Sequence, residues 1–267
     1  MTKDSRQYLK RLWNDNQYSR KLLLSSMTLA IFLVLWEILP AAGWLDPFFT
    51  SSPSRILQAA DWLFAHGLWN DIWVSLSEFA LGMLLGTTLG ILVGILLGWY
   101  RTLDAMFEPF VTMLNAMPRV ALLPLIILWL GIGMESKVAA VFLGAFFPIV
   151  INVMKGVRTV DENLLKCARS FNANDRQVLS TLVLPSSVPF IVAGLHIGVG
   201  RGLVAVVIGE MLASQAGVGH MINMASATFQ TDKVFVGIFL LAGFGYILTE
   251  ILKQLEKIFE PWRTADK

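Results

Sequence analysis

Three charged side chains, Arg119, Arg201 and Glu210, stand inside otherwise apolar segments. An ionised side chain near the centre of a bilayer costs roughly 2.5–3.5 kcal/mol on insertion scales, so each must face protein or water. Arg201 lies nearest the middle of its segment, where it is a candidate to attract an anion. The alternative is a structural bond to helix-end carbonyls or to a carboxylate such as Glu78. Glu210, Arg119 and Asn115 complete the candidate polar path. Glu210 and Arg119 lie nearer opposite ends of their segments, which favours packing at the boundary. Nine residues separate Arg201 from Glu210. That is about 900° of helix, so the two project to opposite sides and do not pair. His196 reads as a packed or hydrogen-bonded residue. An intramembrane enzyme is the main alternative class, and a signalling membrane protein the next. Three histidines and one cysteine, Cys167, supply no recognisable nucleophile–base pair or metal set. No G-x-x-x-x-G-K-[ST] loop is present to hold a nucleotide.

The elements that carry these residues follow from composition. Of 267 residues 55% are hydrophobic and 15% charged, with a mean hydropathy of +0.64; a soluble domain carries about 25% charged residues. The apolar residues fall in blocks, and a membrane-crossing helix needs about 20 of them. Six spans are predicted, at 22–42, 75–99, 106–131, 137–155, 187–212 and 234–255. Lysine and arginine cluster before the first span, after the fourth and at the end of the chain, and Arg101 follows the second. The other connections carry only Arg55, Lys137 and Lys233. This bias places both termini in the cytoplasm. The basic start and the 22–36 block also fit a signal peptide loosely, but no clear A-x-A site follows, so the block reads as a span. The chain divides into a cytoplasmic segment 1–21, a membrane domain 22–260 and a cytoplasmic tail 261–267.

The second span repeats glycine at 82, 86, 90, 94 and 98, and the fifth at 194, 198 and 202. Each interior glycine weakens an isolated helix by roughly 1 kcal/mol relative to alanine. In a bilayer the same residue lets backbones approach closely, so the ladders predict a tight bundle. Steps of four drift around the helix, so the first ladder is expected to serve two neighbours. Pro118 and Pro124 predict a kinked third span. Ser52 and Pro53 predict the start of a short external helix, either flat at the interface or packed on the spans. The two halves show no convincing repeat.

Residues 156–189 are too polar to span and too patterned for a loose loop. Thr159 and Glu162 have capping-box spacing. Leu164, Leu165, Ala168 and Phe171 then share one helix face, and Asn172 suits the left-handed turn that ends it. Asn174 can cap a second helix, and Pro185 marks the start of the next span. Two short amphipathic helices are therefore predicted at the cytoplasmic surface.

This segment resembles the coupling segment of permease subunits in binding-protein-dependent ABC importers, whose pattern is E-A-A, three residues, G, then hydrophobic-x-L-P. Here those places hold Lys166, Cys167, Ala168, Asn172 and the run Leu182-Val183-Leu184-Pro185. The similarity extends through "MPRVALLPLIILWLGIG" and "GLHIGVGRGLVAVVIGEML" and is closest to the nitrate, sulfonate, taurine and bicarbonate branch. Lys166 departs from the pattern by reversing a charge, whereas Cys167 and Asn172 keep a small residue and the turn. The resemblance implies an all-α, six-span, type I importer permease with coupling helices within 156–187. It assigns Leu165, Lys166, Cys167, Ala168, Phe171, Asn172 and Pro185 to contact with ATPases. It further implies a second permease copy forming a homodimer with the path at the interface, two cytoplasmic ATPase subunits that bind ATP and Mg, and an external solute-binding protein. No cofactor is expected on this chain and no nucleic acid among its partners; the solute is expected to be a small organic or inorganic anion.

Overall fold

The computed structural model describes residues 3–259. The tail expected at 261–267 lies outside them. Every regular element among the described residues is helical. Helix α1 (Lys3–Ala41) contains the first span, and α2 (Pro47–Thr50) and α3 (Pro53–Ala65) follow it. The bundle continues with α4 (Leu68–Trp99), α5 (Arg101–Ala116), α6 (Leu123–Leu130) and α7 (Met134–Arg158). Two short helices, α8 (Glu162–Ser170) and α9 (Asp175–Val178), lead into α10 (Leu184–Ala213). α11 (Val218–Ala227) and α12 (Thr231–Phe259) complete it.

The glycine ladder fixes the centre of the bundle. Gly82, Gly86, Gly90, Gly94 and Gly98 face Val141, Ala145, Ile149, Val153 and Val157 of α7 in that order. A Cβ at Gly94 would lie 2.7 Å from Val153 Cβ and 2.9 Å from Val150 O. Only glycine admits so close a backbone. The ladder serves one neighbour, not two. α7 has its own four-residue row, and two such rows wound about each other absorb the drift of an isolated one. The second ladder meets the same helix from another side. Gly194 faces Ile149 and Asn152, Gly198 faces Ala145 and Ile149, and Gly202 faces Val141 together with Phe79 and Met83 of α4. α7 is thus clamped between two small-residue faces.

These pairings set direction. α4 and α7 rise in the same sequence order and are parallel, whereas α10 runs antiparallel to α7. The chain between two parallel spans must cross back. It does so as a broken span: α5 and α6 are bent by 88°. Val111 of α5 packs with Val150 and Met154, and Leu123 and Ile126 of α6 pack with Ala140, so the pair runs back along α7. Five continuous apolar helices and this pair give six crossings.

The break is sharper than the predicted kink. Met117 precedes proline and takes extended angles, φ −65° and ψ 133°, as steric contact with the proline ring demands. Residues 119–122 form a 3-10 turn, and Pro124 helps to start α6 instead of bending a helix.

α3 packs on the bundle through Ile56 and Leu63, which join Leu68, Val218, Met221, Ile222 and Val236. Its first turn differs from the prediction. Ser52 makes no capping bond, because Glu37 of α1 collects Ser52 Oγ, Ser54 Oγ and Ser54 N.

Candidate functional site

Where the third span breaks, the chain opens a cavity of about 550 Å³ between α5, α6, α7 and α10. Arg119, in the turn after the break, reaches back to the last turn of α5. Its Nη2 donates to Asn115 O at 3.1 Å and to Asn115 Oδ1 at 2.9 Å. The first bond satisfies a carbonyl left open at the helix end. The guanidinium also lies 5.7 Å from the centre of the Phe147 ring, a favourable cation–π placement. From the opposite wall Arg201 Nη1 donates to the same Asn115 Oδ1 at 3.0 Å. One uncharged amide oxygen therefore receives both arginines. Among the described residues no aspartate or glutamate lines the cavity. The two like charges repel each other, less than a buried pair would because Arg201 is exposed. The positive potential is met only by a dipole, and the site is suited to an anion. His196 lines the same space with Nδ1 3.2 Å from Val192 O. Since a carbonyl only accepts, Nδ1 carries a proton.

Three of the four candidate path residues, Arg201, Arg119 and Asn115, meet here. Glu210 does not: it is fully buried on the far side of α10, as the rotation between it and Arg201 requires. Arg201 takes an amide partner, and Glu78 lies elsewhere with Glu210.

At the other end of α7 the polar segment forms a compact knob. Asp161, not Thr159, caps α8, its Oδ1 accepting from Asn163 N at 2.7 Å. α7 runs on to Arg158 and takes Thr159 as its own terminus, the threonine hydroxyl donating to Lys155 O. Asn172 adopts φ 59°, and Asn174 forms a reciprocal capping box with Gln177. The predicted apolar stripe divides along its length. Leu165 and Ala168 pack on a cluster that includes Val157, Val160, Val178 and Val183. Leu164 and Phe171 point outward, with Phe171 84% exposed. On a helix of 100° per residue the stripe covers about 120°, so one edge faces the bundle and the other faces away. Lys166 lies 3.7 Å from Glu162 of its own helix, and both are exposed; such pairs contribute about 0–1 kcal/mol. Cys167 is exposed, and Pro185 sits in the first turn of α10.

Residues 86–261 match the family described as "Binding-protein-dependent transport system inner membrane component", which is more than half of the chain. The chain belongs to this family. The permease is 33% identical over 237 residues to the putative aliphatic sulfonates transport permease protein SsuC of Bacillus subtilis, covering 88% of this chain and 86% of that one. It is 31% identical over 250 residues to the taurine transport system permease protein TauC of Escherichia coli K12, covering 91% of each. Its fold matches that of a solved inward-facing MetNI methionine ABC transporter, with a TM-score of 0.56 at 17% identity over 75% of this chain and 97% of that one. The family segment includes the cavity and the knob, so the permease of an ABC importer is the frame in which both act.

The permease also holds a buried polar cluster that the sequence reading left unassembled. Asp71 Oδ1, Ser75 Oγ and Glu210 Oε2 accept from Gly217 N, Val218 N and Gly219 N at 2.8, 2.8 and 2.6 Å. Three open N–H groups at the start of α11 are thereby satisfied by α4 and α10. A Cβ at Gly219 would lie 2.5 Å from Val207 O, which keeps the loop bound this tightly. Lys137, expected in a connection, is 1% exposed inside the bundle. Its stem packs on Gly209, and its ammonium donates to Ile132 O and to Gly133 O. Glu78 and Glu210 each keep one buried oxygen without a partner among the described residues. The available signal was three charges in or beside apolar spans, two acidic and one basic.

Proposed function

We propose that this permease forms the translocation path for a small organic or inorganic anion, with aliphatic sulfonates favoured by the name that two of its relatives carry. The observation that carries the reading is the convergence of Arg119 and Arg201 on one neutral oxygen in a cavity that no carboxylate lines among the described residues. The path is completed by a second copy of the chain. The broken span beside the cavity supports this, since Phe110, Met113, Leu128 and Trp129 are exposed along it. An external binding protein delivers the solute, and two cytoplasmic ATPase subunits hold ATP and Mg and grip α8 and α9. Both termini are cytoplasmic, in keeping with the distribution of lysine and arginine.

α7 supplies the mechanical link. Its lower end joins the knob in one apolar cluster through Val157, and its upper half lines the cavity with Ala140, Leu143 and Gly144. A displacement of the knob reaches the arginines through one clamped helix. Nucleotide shifts the permease only by binding one arrangement of the ATPases better than another.

Uptake of a radiolabelled alkanesulfonate by cells carrying the whole transporter tests the reading. Arg201→Gln removes one charged hydrogen bond, typically about 1.5–3 kcal/mol. At equal amounts of assembled complex, uptake at subsaturating solute should fall about tenfold or more. Unchanged uptake rules out an essential pathway charge; loss of assembly assigns Arg201 a structural role instead.

A further inference from the structure

The cavity contains two guanidinium groups, one amide and one imidazole, and among the described residues no carboxylate in its lining. We propose that the site admits oxyanions whose remaining atoms are uncharged and discriminates against solutes that carry an ammonium group beside the oxyanion. This rests on the reading of the cavity as an anion path.

Asn115 Oδ1 marks the place of the solute. It accepts from Arg119 at 2.9 Å and from Arg201 at 3.0 Å, as a sulfonate oxygen would, but without the charge. An arriving oxyanion replaces a neutral acceptor with a charged one, and hydrogen bonds between charged groups are the stronger kind. Arg119 Nε is buried without a partner, so the guanidinium has donor capacity that Asn115 leaves unused.

The rest of the solute meets apolar wall. Leu123, Ile126, Leu143 and Val204 surround the space, and Gly200 leaves it open, with no atom within 4 Å of where a Cβ would stand. A methyl or methylene fits that surface without cost. An ammonium group there would lose hydration with no carboxylate to receive it, in the field of two positive side chains. Two neutral acceptors, the displaced Asn115 Oδ1 and His196 Nε2, can each take one N–H, but neither offsets the charge in the field of two guanidinium groups.

Two sulfonates of nearly equal shape separate the possibilities. Propane-1-sulfonate has a methyl group where 2-aminoethanesulfonate has an ammonium. Equilibrium binding of each, radiolabelled, is measured on the purified full-length permease in detergent. Propane-1-sulfonate is expected to bind at least about tenfold more tightly. Arg201→Gln should weaken its binding by about tenfold, while Arg201→Lys keeps the charge and the preference. Asn115→Asp, which places a fixed carboxylate between the arginines, should abolish binding in a protein that remains monodisperse. Equal affinity for the two sulfonates, both weakened by Arg201→Gln, overturns the discrimination and leaves the anion path intact. Absence of sulfonate binding, or binding that Arg201→Gln leaves unchanged, removes the anion site and the inference with it.

Discussion

Gly94→Leu prevents the permease from assembling, while Leu92→Ala, two residues away, leaves assembly close to wild type. At Gly94 even a Cβ meets Val153 Cβ at 2.7 Å and the Val150 carbonyl at 2.9 Å, and a backbone oxygen yields only if α7 moves. α7 is held on its other side by Gly194, Gly198 and Gly202, so it has nowhere to go. Overpacking a fitted core costs about 1–3 kcal/mol and sometimes more. A leucine that separates the two best-packed helices belongs at or above that upper end. Leu92 is 58% exposed on the outer side of α4, and shortening it removes little protein contact. The check is the fraction of monodisperse protein after detergent extraction at matched expression. Equal yields from both variants would show that the ladder is not what holds the bundle.

Lys137→Met should lower the thermal unfolding midpoint in detergent by roughly 10 °C or more, the shift expected for a loss of about 3–5 kcal/mol. The ammonium satisfies two carbonyls between α6 and α7, and its charge acts on Glu78 and Glu210. Without it two buried carboxyl groups, Glu78 and Glu210, remain in the bundle and the cation that acts on them is gone. Adding Glu78→Gln to Lys137→Met removes one of those two ionisable groups and should recover part of the loss. Glu210→Ala should also be damaging, because Gly219 N is left buried without its acceptor. Glu210→Gln keeps an acceptor for Gly219 N and should cost less. If all four variants melted with wild type, the cluster would have no part in fixing the ends of α4, α7 and α10.

Features set by a few neighbouring residues were legible in the sequence. Glycine at every fourth position announced a close helix contact, Pro118 a bend, Asn172 a left-handed turn and Asn174 a cap. Each is decided by local sterics or by a side chain and backbone a few residues apart. The partner of the ladder was not legible, because α7 carries β-branched and small residues in a row that reads as ordinary apolar sequence. Nor was the buried cluster. Ser75 meets Val218 across 143 residues and Asp71 meets Gly217 across 146. The cavity shows the same limit: Arg201 and Arg119 were visible as costly charges, but Asn115, 86 residues from Arg201, became their shared acceptor only when α10 lay antiparallel to α7. Thr159 misled because a proper capping spacing competes with the end of the preceding helix, which claimed it.

The orientation of the knob underlies both the coupling and the direction of the path, and Cys167 reports it directly. This cysteine is exposed on α8, beside the outward edge formed by Leu164 and Phe171. A membrane-impermeant thiol reagent applied to sealed vesicles of each orientation measures which side it occupies. The account predicts rapid labelling in inside-out vesicles, none in right-side-out vesicles, and slower labelling once the ATPase subunits are bound. Labelling from the outside would contradict it and would reverse the topology, the coupling role and the direction of the path together.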